Sequence, residues 1–336
     1  MLRERDITDF LHQRGATVVA MLVACVCTVI GWQDGAMMPL PAEEGWALGP
    51  VSSWLPSGAL MASAALSLAV NFVVALLTVY ITRGFNLLRS LTSLVATMYL
   101  MMQIATPAVL GRFTAATMLP LVALLATVLL FSVYSDPQPR ARLRVMLVFV
   151  LFGAGMLVCP QCIYYIPVMM IGCVQMRQAG LRTFIAILLG LAAPLWILGG
   201  FGVVDLRSLT NLFTLIFTPL WSNAALDAGL PAIMIVTAAC TMFLGVVFTV
   251  ANLLKILSYN ARTRALNGFF TLMMIFTVVF ALIDFAHLDI YIPMLNMTVA
   301  YQIGHFFTYR PQRRTYIPLL LIMAGYFILY LWAVPA

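Results

Sequence analysis

Asp34 stands two residues beyond Trp32, where a long apolar run ends, and Glu43 and Glu44 follow shortly after. A carboxylate fixed at the edge of an apolar layer can take a proton from a substrate presented there, so Asp34 is the candidate general base. Glu43 and Glu44 are its less constrained substitutes. Further on, Asp284 and His287 occur in the string Asp-Phe-Ala-His-Leu-Asp. Residues three apart touch on a helix, which makes them a candidate acid–base pair. Arg112 and Arg207 are isolated cations among apolar and acidic neighbours, and either can bind a phosphate through charge-assisted hydrogen bonds. The same residues also fit plainer roles: solvated loop acids, ordinary ion pairs and the polar end of a helix. Residue type alone leaves both readings open.

Other chemistry has little to stand on. The chain has no phosphate-binding glycine loop, no dinucleotide fingerprint, no HExxH and no GxSxG. His12, His287 and His305 are too scattered for a metal centre, and no cofactor is expected. Cys159 and Cys162 have dithiol spacing, but between two apolar segments that spacing reads as a structural turn. The other four cysteines lie mostly in apolar runs, where cysteine behaves as a small hydrophobe.

The elements that must position these residues follow from composition. Of 336 residues 63% are hydrophobic and 9% are charged. A soluble domain carries roughly a quarter charged residues to cover its core, so this chain needs lipid around it. Apolar runs bounded by charges fall at 15–32, 59–82, 91–110, 115–134, 145–158, 163–176, 184–204, 231–254, 269–286, 290–307 and 316–334. Most approach the ~20 residues a helix needs to cross a bilayer. The expected fold is therefore all-α, a polytopic transmembrane helical bundle of about eleven spans. Nine is the alternative, because 145–158 and 163–176 are short enough to form a re-entrant hairpin.

Charge placement sets the orientation. The formal net charge is +7, and with the N-terminus inside only Arg112 and Arg207 of the 18 Lys and Arg residues fall outside. That is the positive-inside pattern, with the C-terminus outside and a multi-pass inner-membrane location. It also removes nucleic acid as a partner, since the basic residues form no stripe with interleaved aromatics. The apolar stretch before Cys25 is short and follows acidic residues, so an uncleaved first span is expected.

Residues 1–336 read as one transmembrane domain. An outer loop covers 33–58, and 205–222 reads as an outer interfacial amphipathic helix, with Leu206, Leu209, Phe213, Ile216 and Leu220 on one face. Within the spans, Asn71 is expected near mid-membrane, while Gln103, Asn296, Gln302 and His305 are expected nearer the edges. Thr298, Gln302 and His305 share a helical face. No acid or base lies near the centre of a span, which weakens an ion-coupled pump.

The stretches Arg83–Thr92, Leu181–Gly199 and Tyr301–His305 resemble an uncharacterised family of polytopic inner-membrane proteins of Bacteroidota. That resemblance implies location and architecture only. The layout also resembles the integral-membrane glycosyltransferases that use polyprenyl-phosphate sugars, although the first loop is short and Asp34 has no adjacent acid. It implies membrane lipids and a polyprenyl-phosphate-linked sugar as partners. Three functions follow: a lipid-linked sugar transferase of the cell envelope, a transporter or lipid flippase, or a non-catalytic scaffold of an envelope complex.

Overall fold

A computed structural model of the chain describes residues 14–33, 46–56, 59–88, 93–202, 210–212, 214, 230–254, 259–309 and 316–334. Its helices are α1 Arg14–Gln33, α2 Leu60–Gly84, α3 Leu94–Ile104, α4 Pro107–Leu110, α5 Ala115–Ser132, α6 Pro139–Val158, α7 Cys162–Gln175, α8 Leu181–Gly200, α9 Ala232–Leu253, α10 Ala261–Ile283, α11 Leu288–Tyr309 and α12 Tyr316–Ala333. All but the short α4 correspond one to one with the apolar runs, and no strand occurs among the described residues. Six of them (α2, α5, α6, α8, α9 and α10) are long and apolar enough to cross a membrane. The chain is a membrane-embedded, all-α protein.

Two boundaries differ from the sequence reading for one reason. α6 begins at Pro139 and α10 at Ala261, several residues before the apolar runs, so both helices carry their arginines within their first two turns. Arginine is a good helix former, and a helix continues past the point where its apolar run stops. With 20 residues α6 is a full-length apolar helix, and of this pair only α7, at 14 residues, stays short. The 91–110 run is broken at Ala105 and Thr106 because Pro107 opens a separate turn. Of the expected interfacial helix at 205–222 only residues 210–212 and 214 are described, and they are helical.

At the middle of the bundle lies α11, buried over almost its whole length and packed by α3, α5, α9 and α10. It is also rich in polar groups, among them Asp289, Asn296, Thr298, Gln302 and His305. Hydrocarbon is a poor environment for such groups, so a polar helix is most stable where protein surrounds it. Close approach is secured by glycine. A Cβ on Gly304 of α11 would come 2.5 Å from Val95 Cγ2 of α3. The closest approach to another backbone joins the parallel helices α6 and α8, where a Cβ on Gly190 would lie 2.5 Å from the backbone oxygen of Met146.

Hydrogen bonds sort the connections into two ends. At one end Thr17 bonds the carbonyl of Ser93 at 3.3 Å, Arg144 that of Ser132 at 3.1 Å, and Gln178 that of Val133 at 2.8 Å. Phe131 stands edge-on to Phe85, Phe269 and Phe270, which ties α5 and α10 to the residue after α2 there. At the opposite end Leu48 N reaches Leu157 O at 3.4 Å, Ser67 bonds Leu110 O at 2.7 Å, and Tyr330 bonds Cys27 O at 3.0 Å.

α7 runs between these ends. Tyr165 bonds Thr277 near the end of α10, and Gly172 packs on Phe269 near its start. Among the described residues the first end carries Arg83, Arg140, Arg142, Arg144, Arg177, Arg182, Arg262 and Arg264 against Asp136. The second carries Arg112 against Asp284 and Asp289. They are called the basic and the acidic end below.

Candidate functional site

α10 stops at Ile283 because Asp284 leaves helical geometry, with φ −105° and ψ 56°. A single 3-10 turn, Phe285–His287, then leads into α11. This turn folds the histidine back over the aspartate. His287 Nδ1 lies 2.7 Å from Asp284 Oδ1, and the Tyr291 hydroxyl, from the first turn of α11, donates to Asp284 Oδ2 at 2.9 Å. The Asp284 side chain is 2% exposed and that of His287 is 14%. A carboxylate so buried is stable only when its oxygens are paired, and here each one is. With Asp284 ionised, its bond to His287 holds the proton on Nδ1 and leaves Nε2 as the basic nitrogen. The contact expected from the three-residue spacing is present, made across a 3-10 turn and not within a helix.

The walls of the site come from α7. Tyr165 stands edge-on to Phe280 at 5.3 Å, Tyr164 packs on the same ring at 5.5 Å, and Tyr165 is anchored through its hydroxyl to Thr277 at 3.0 Å. The turn between α6 and α7 holds Cys159 and Cys162. Both thiols are free and fully buried, and Cys159 bonds Gln161 at 3.5 Å. The hydrogen bond with Cys162, together with burial, pushes the Cys159 thiol well above its usual range. A thiol disfavoured as thiolate is a poor nucleophile, so the pair acts as a structural turn. No group of His, Cys, Asp and Glu among the described residues has the make-up of a metal site.

Arg112 sits on the turn between α4 and α5, which is fixed by bonds from Phe113 N to Ser63 and from Ser67 to Leu110 O. It is half-buried, and burial draws its guanidinium below the usual value. The structure thus puts Arg112 at the same end as Asp284 and His287. Asp34, Glu43, Glu44 and Arg207 lie outside the described residues. Asp34 directly follows the end of α1 at Gln33, and Glu43 and Glu44 shortly precede the segment 46–56, in which the Trp54 indole donates to Leu48 O at 3.2 Å.

Two further polar clusters line the buried faces of α11. In the first, Tyr99 and Gln103 of α3 donate to Asn71 Oδ1 of α2 at 2.6 and 3.1 Å, and Asn296 donates to Gln103 Oε1 at 2.9 Å. Gln103 and Asn296, expected nearer the membrane edges, are thus bonded into the same cluster as Asn71. In the second, Asn252 donates to the Gln302 side chain at 2.9 Å, Asn267 and His305 are 2.9 Å apart, and Tyr301 donates to Asn267. Thr298 shares the helical face of Gln302 and His305 but bonds its own helix, at Met294 O and Leu295 O.

The sequence reading missed Tyr291, Tyr99, Asn252 and Asn267. Tyr291 had a usable signal, since it lies two helical turns beyond Asp284. The other three depend on which helices are neighbours. No protein-family model, no curated protein and no solved structure matches the chain.

Proposed function

We propose that this protein is a multi-pass inner-membrane enzyme of the cell envelope, a lipid-linked sugar transferase that works at the acidic end of the bundle. The observation that carries this reading is His287, held at Nδ1 by the buried carboxylate of Asp284, whose second oxygen is bound by Tyr291. In the proposed reaction an acceptor hydroxyl attacks the anomeric carbon of a polyprenyl-phosphate sugar. The bond from that carbon to the phosphate oxygen breaks, and the polyprenyl phosphate leaves with the electron pair. His287 Nε2 takes the hydroxyl proton, and Arg112 balances the charge on the phosphate. Asp34 and Arg207 are assigned to the same face by their positions in the chain.

The topology belongs to this proposal. The basic end faces the cytoplasm, which is the positive-inside arrangement, and the acidic end faces outward. Eleven crossings with the N-terminus inside accommodate the helices. α7 is counted as a crossing because it follows α10 from Thr277 to Phe269 and its C-terminal residues join the loop after α5. The direct test is transfer of labelled sugar from a polyprenyl-phosphate donor by the purified protein in liposomes. His287→Gln should abolish transfer while insertion and thermal stability stay normal.

A transporter or flippase is the second reading, favoured by the polar chain Asn71–Tyr99–Gln103–Asn296 across α2, α3 and α11. It predicts that Asn71→Leu stops flux and that His287→Gln does not.

A further inference from the structure

At the basic end, the loops that precede α6 and α8 enclose a cleft of about 640 Å³, lined by Arg142, Arg177 and Arg182 together with Asp136, Gln178 and Thr183. That volume lies within the usual range for a small-molecule site. From the positive-inside pattern alone, arginines are expected at this end but not their convergence on one cleft. Among the described residues, none of these three guanidinium groups has a hydrogen bond or ion pair, whereas nearby Arg144 is bonded to Ser132.

The cleft is built rather than merely left between loops. Gln178 Nε2 donates to Val133 O at 2.8 Å and to Asp136 O at 2.9 Å, and Ser135 N donates to Met176 O at 3.0 Å. These bonds staple one wall to the other. Asp136, the acid of the cleft, is engaged at Oδ1 by the backbone N–H of Gln138 at 3.0 Å. Arg177 is held at φ +61°, a conformation that non-glycine residues rarely adopt. α6 and α8 run in parallel and both begin at this cleft, so two helix N-termini add their partial positive charge to the three arginines.

The surroundings of the cleft identify the source of the anion. Only 22% of the most apolar stretch of α8 is buried in protein, against 61% for α5, so α8 faces lipid. From the rim of the cleft, Leu181, Ile185 and Leu188 descend one face of α8, and Leu143 and Leu147 descend α6; all five are exposed. A phosphate bound by the arginines would have acyl chains lying along these two faces. We infer that this cleft binds the phosphate headgroup of an anionic phospholipid of the adjacent leaflet, with its chains against α6 and α8. This inference is independent of the transferase reading, because the cleft lies at the opposite end from Asp284 and His287.

The test is native mass spectrometry of the full chain released from nanodiscs of equal phosphatidylglycerol and phosphatidylcholine. Wild type should retain phosphatidylglycerol in preference, and 10 mM inorganic phosphate should not displace it. In Arg142→Gln/Arg182→Gln the preference should fall by roughly tenfold, the effect of losing charge-assisted contacts. The charge-keeping Arg142→Lys/Arg182→Lys should preserve it, as should Arg262→Gln/Arg264→Gln, which alters the same end outside the cleft. Equal retention of both lipids by wild type, displacement by phosphate, or an unchanged preference in the double Gln variant overturns the inference. If the double variant does not fold, a photo-crosslinker at Leu181 in an otherwise native chain decides. Capture of phosphatidylglycerol over phosphatidylcholine supports the site, and indifferent capture removes it.

Discussion

Tyr99 donates its hydroxyl hydrogen to Asn71 Oδ1 at 2.6 Å, joining α3 to α2 inside the bundle. Gln103 donates to the same oxygen and accepts from Asn296, so three helices share one polar cluster. The cluster is buried, and interhelical hydrogen bonds of this kind contribute about 0.6 kcal/mol each on average. Tyr99→Phe should therefore lower stability by roughly 0.5–1.5 kcal/mol. Sugar transfer by the variant should stay at the wild-type rate. A variant of normal stability without activity would move the function into the cluster, as the transporter reading requires.

The acid–histidine pair makes a graded prediction. Loss of a general base costs about 10² to 10⁴ in rate, so His287→Gln and His287→Ala should both fall in that range. Asp284→Asn should come close to it, because an amide can bond the imidazole in the wrong tautomer. Tyr291→Phe leaves His287 its partner and should cost much less. Initial rates of labelled-sugar transfer for the four variants provide the comparison. Equal losses for His287→Gln and Tyr291→Phe would point to a structural role for the whole cluster.

Gly190 offers a packing test at the α6–α8 contact. A methyl there meets the Met146 carbonyl, part of a helix backbone that cannot swing aside. Gly190→Ala should therefore destabilise the protein by about 1–3 kcal/mol, the usual range for overpacking. Gly180→Ala is the control, since a Cβ there has open space. Differential scanning fluorimetry in one detergent distinguishes the two.

The α6–α7 turn yields a prediction on both topology and thiols. Leu48 and Leu157 are joined backbone to backbone at 3.4 Å. Leu48→Cys with Leu157→Cys, in a chain whose native cysteines are Ala, should crosslink with a short bifunctional reagent added from outside. A hairpin that enters from the cytoplasm and stops midway would keep the two apart. In the native chain, Cys159 and Cys162 should react with maleimide only after denaturation.

Much of this architecture was legible in the amino-acid sequence. Lipid demands long uninterrupted apolar stretches, and those stretches mark the helices. The boundaries that moved, at α6 and α10, moved because charge marks where hydrocarbon ends and not where backbone hydrogen bonding ends. Asp284 and His287 were legible because their contact is local, fixed by a spacing of three residues. Partners such as Asn252 with Gln302 were not, because they lie 50 residues apart and meet only through the packing order of α9 and α11. Tyr99 was passed over because an aromatic in an apolar run reads as packing, and its hydroxyl gains meaning only beside Asn71.

The central position of α11 has a consequence for biosynthesis. It is not among the six helices long and apolar enough to cross a membrane. As it leaves the ribosome it is a poor substrate for release into lipid, carrying Asn296, Gln302 and His305 with nothing to bond. α9 and α10 precede it in the chain and hold the partners of its second cluster, Asn252, Asn267 and Thr271. The insertion machinery must then keep earlier segments nearby, so that α11 is handed to protein instead of to the bilayer.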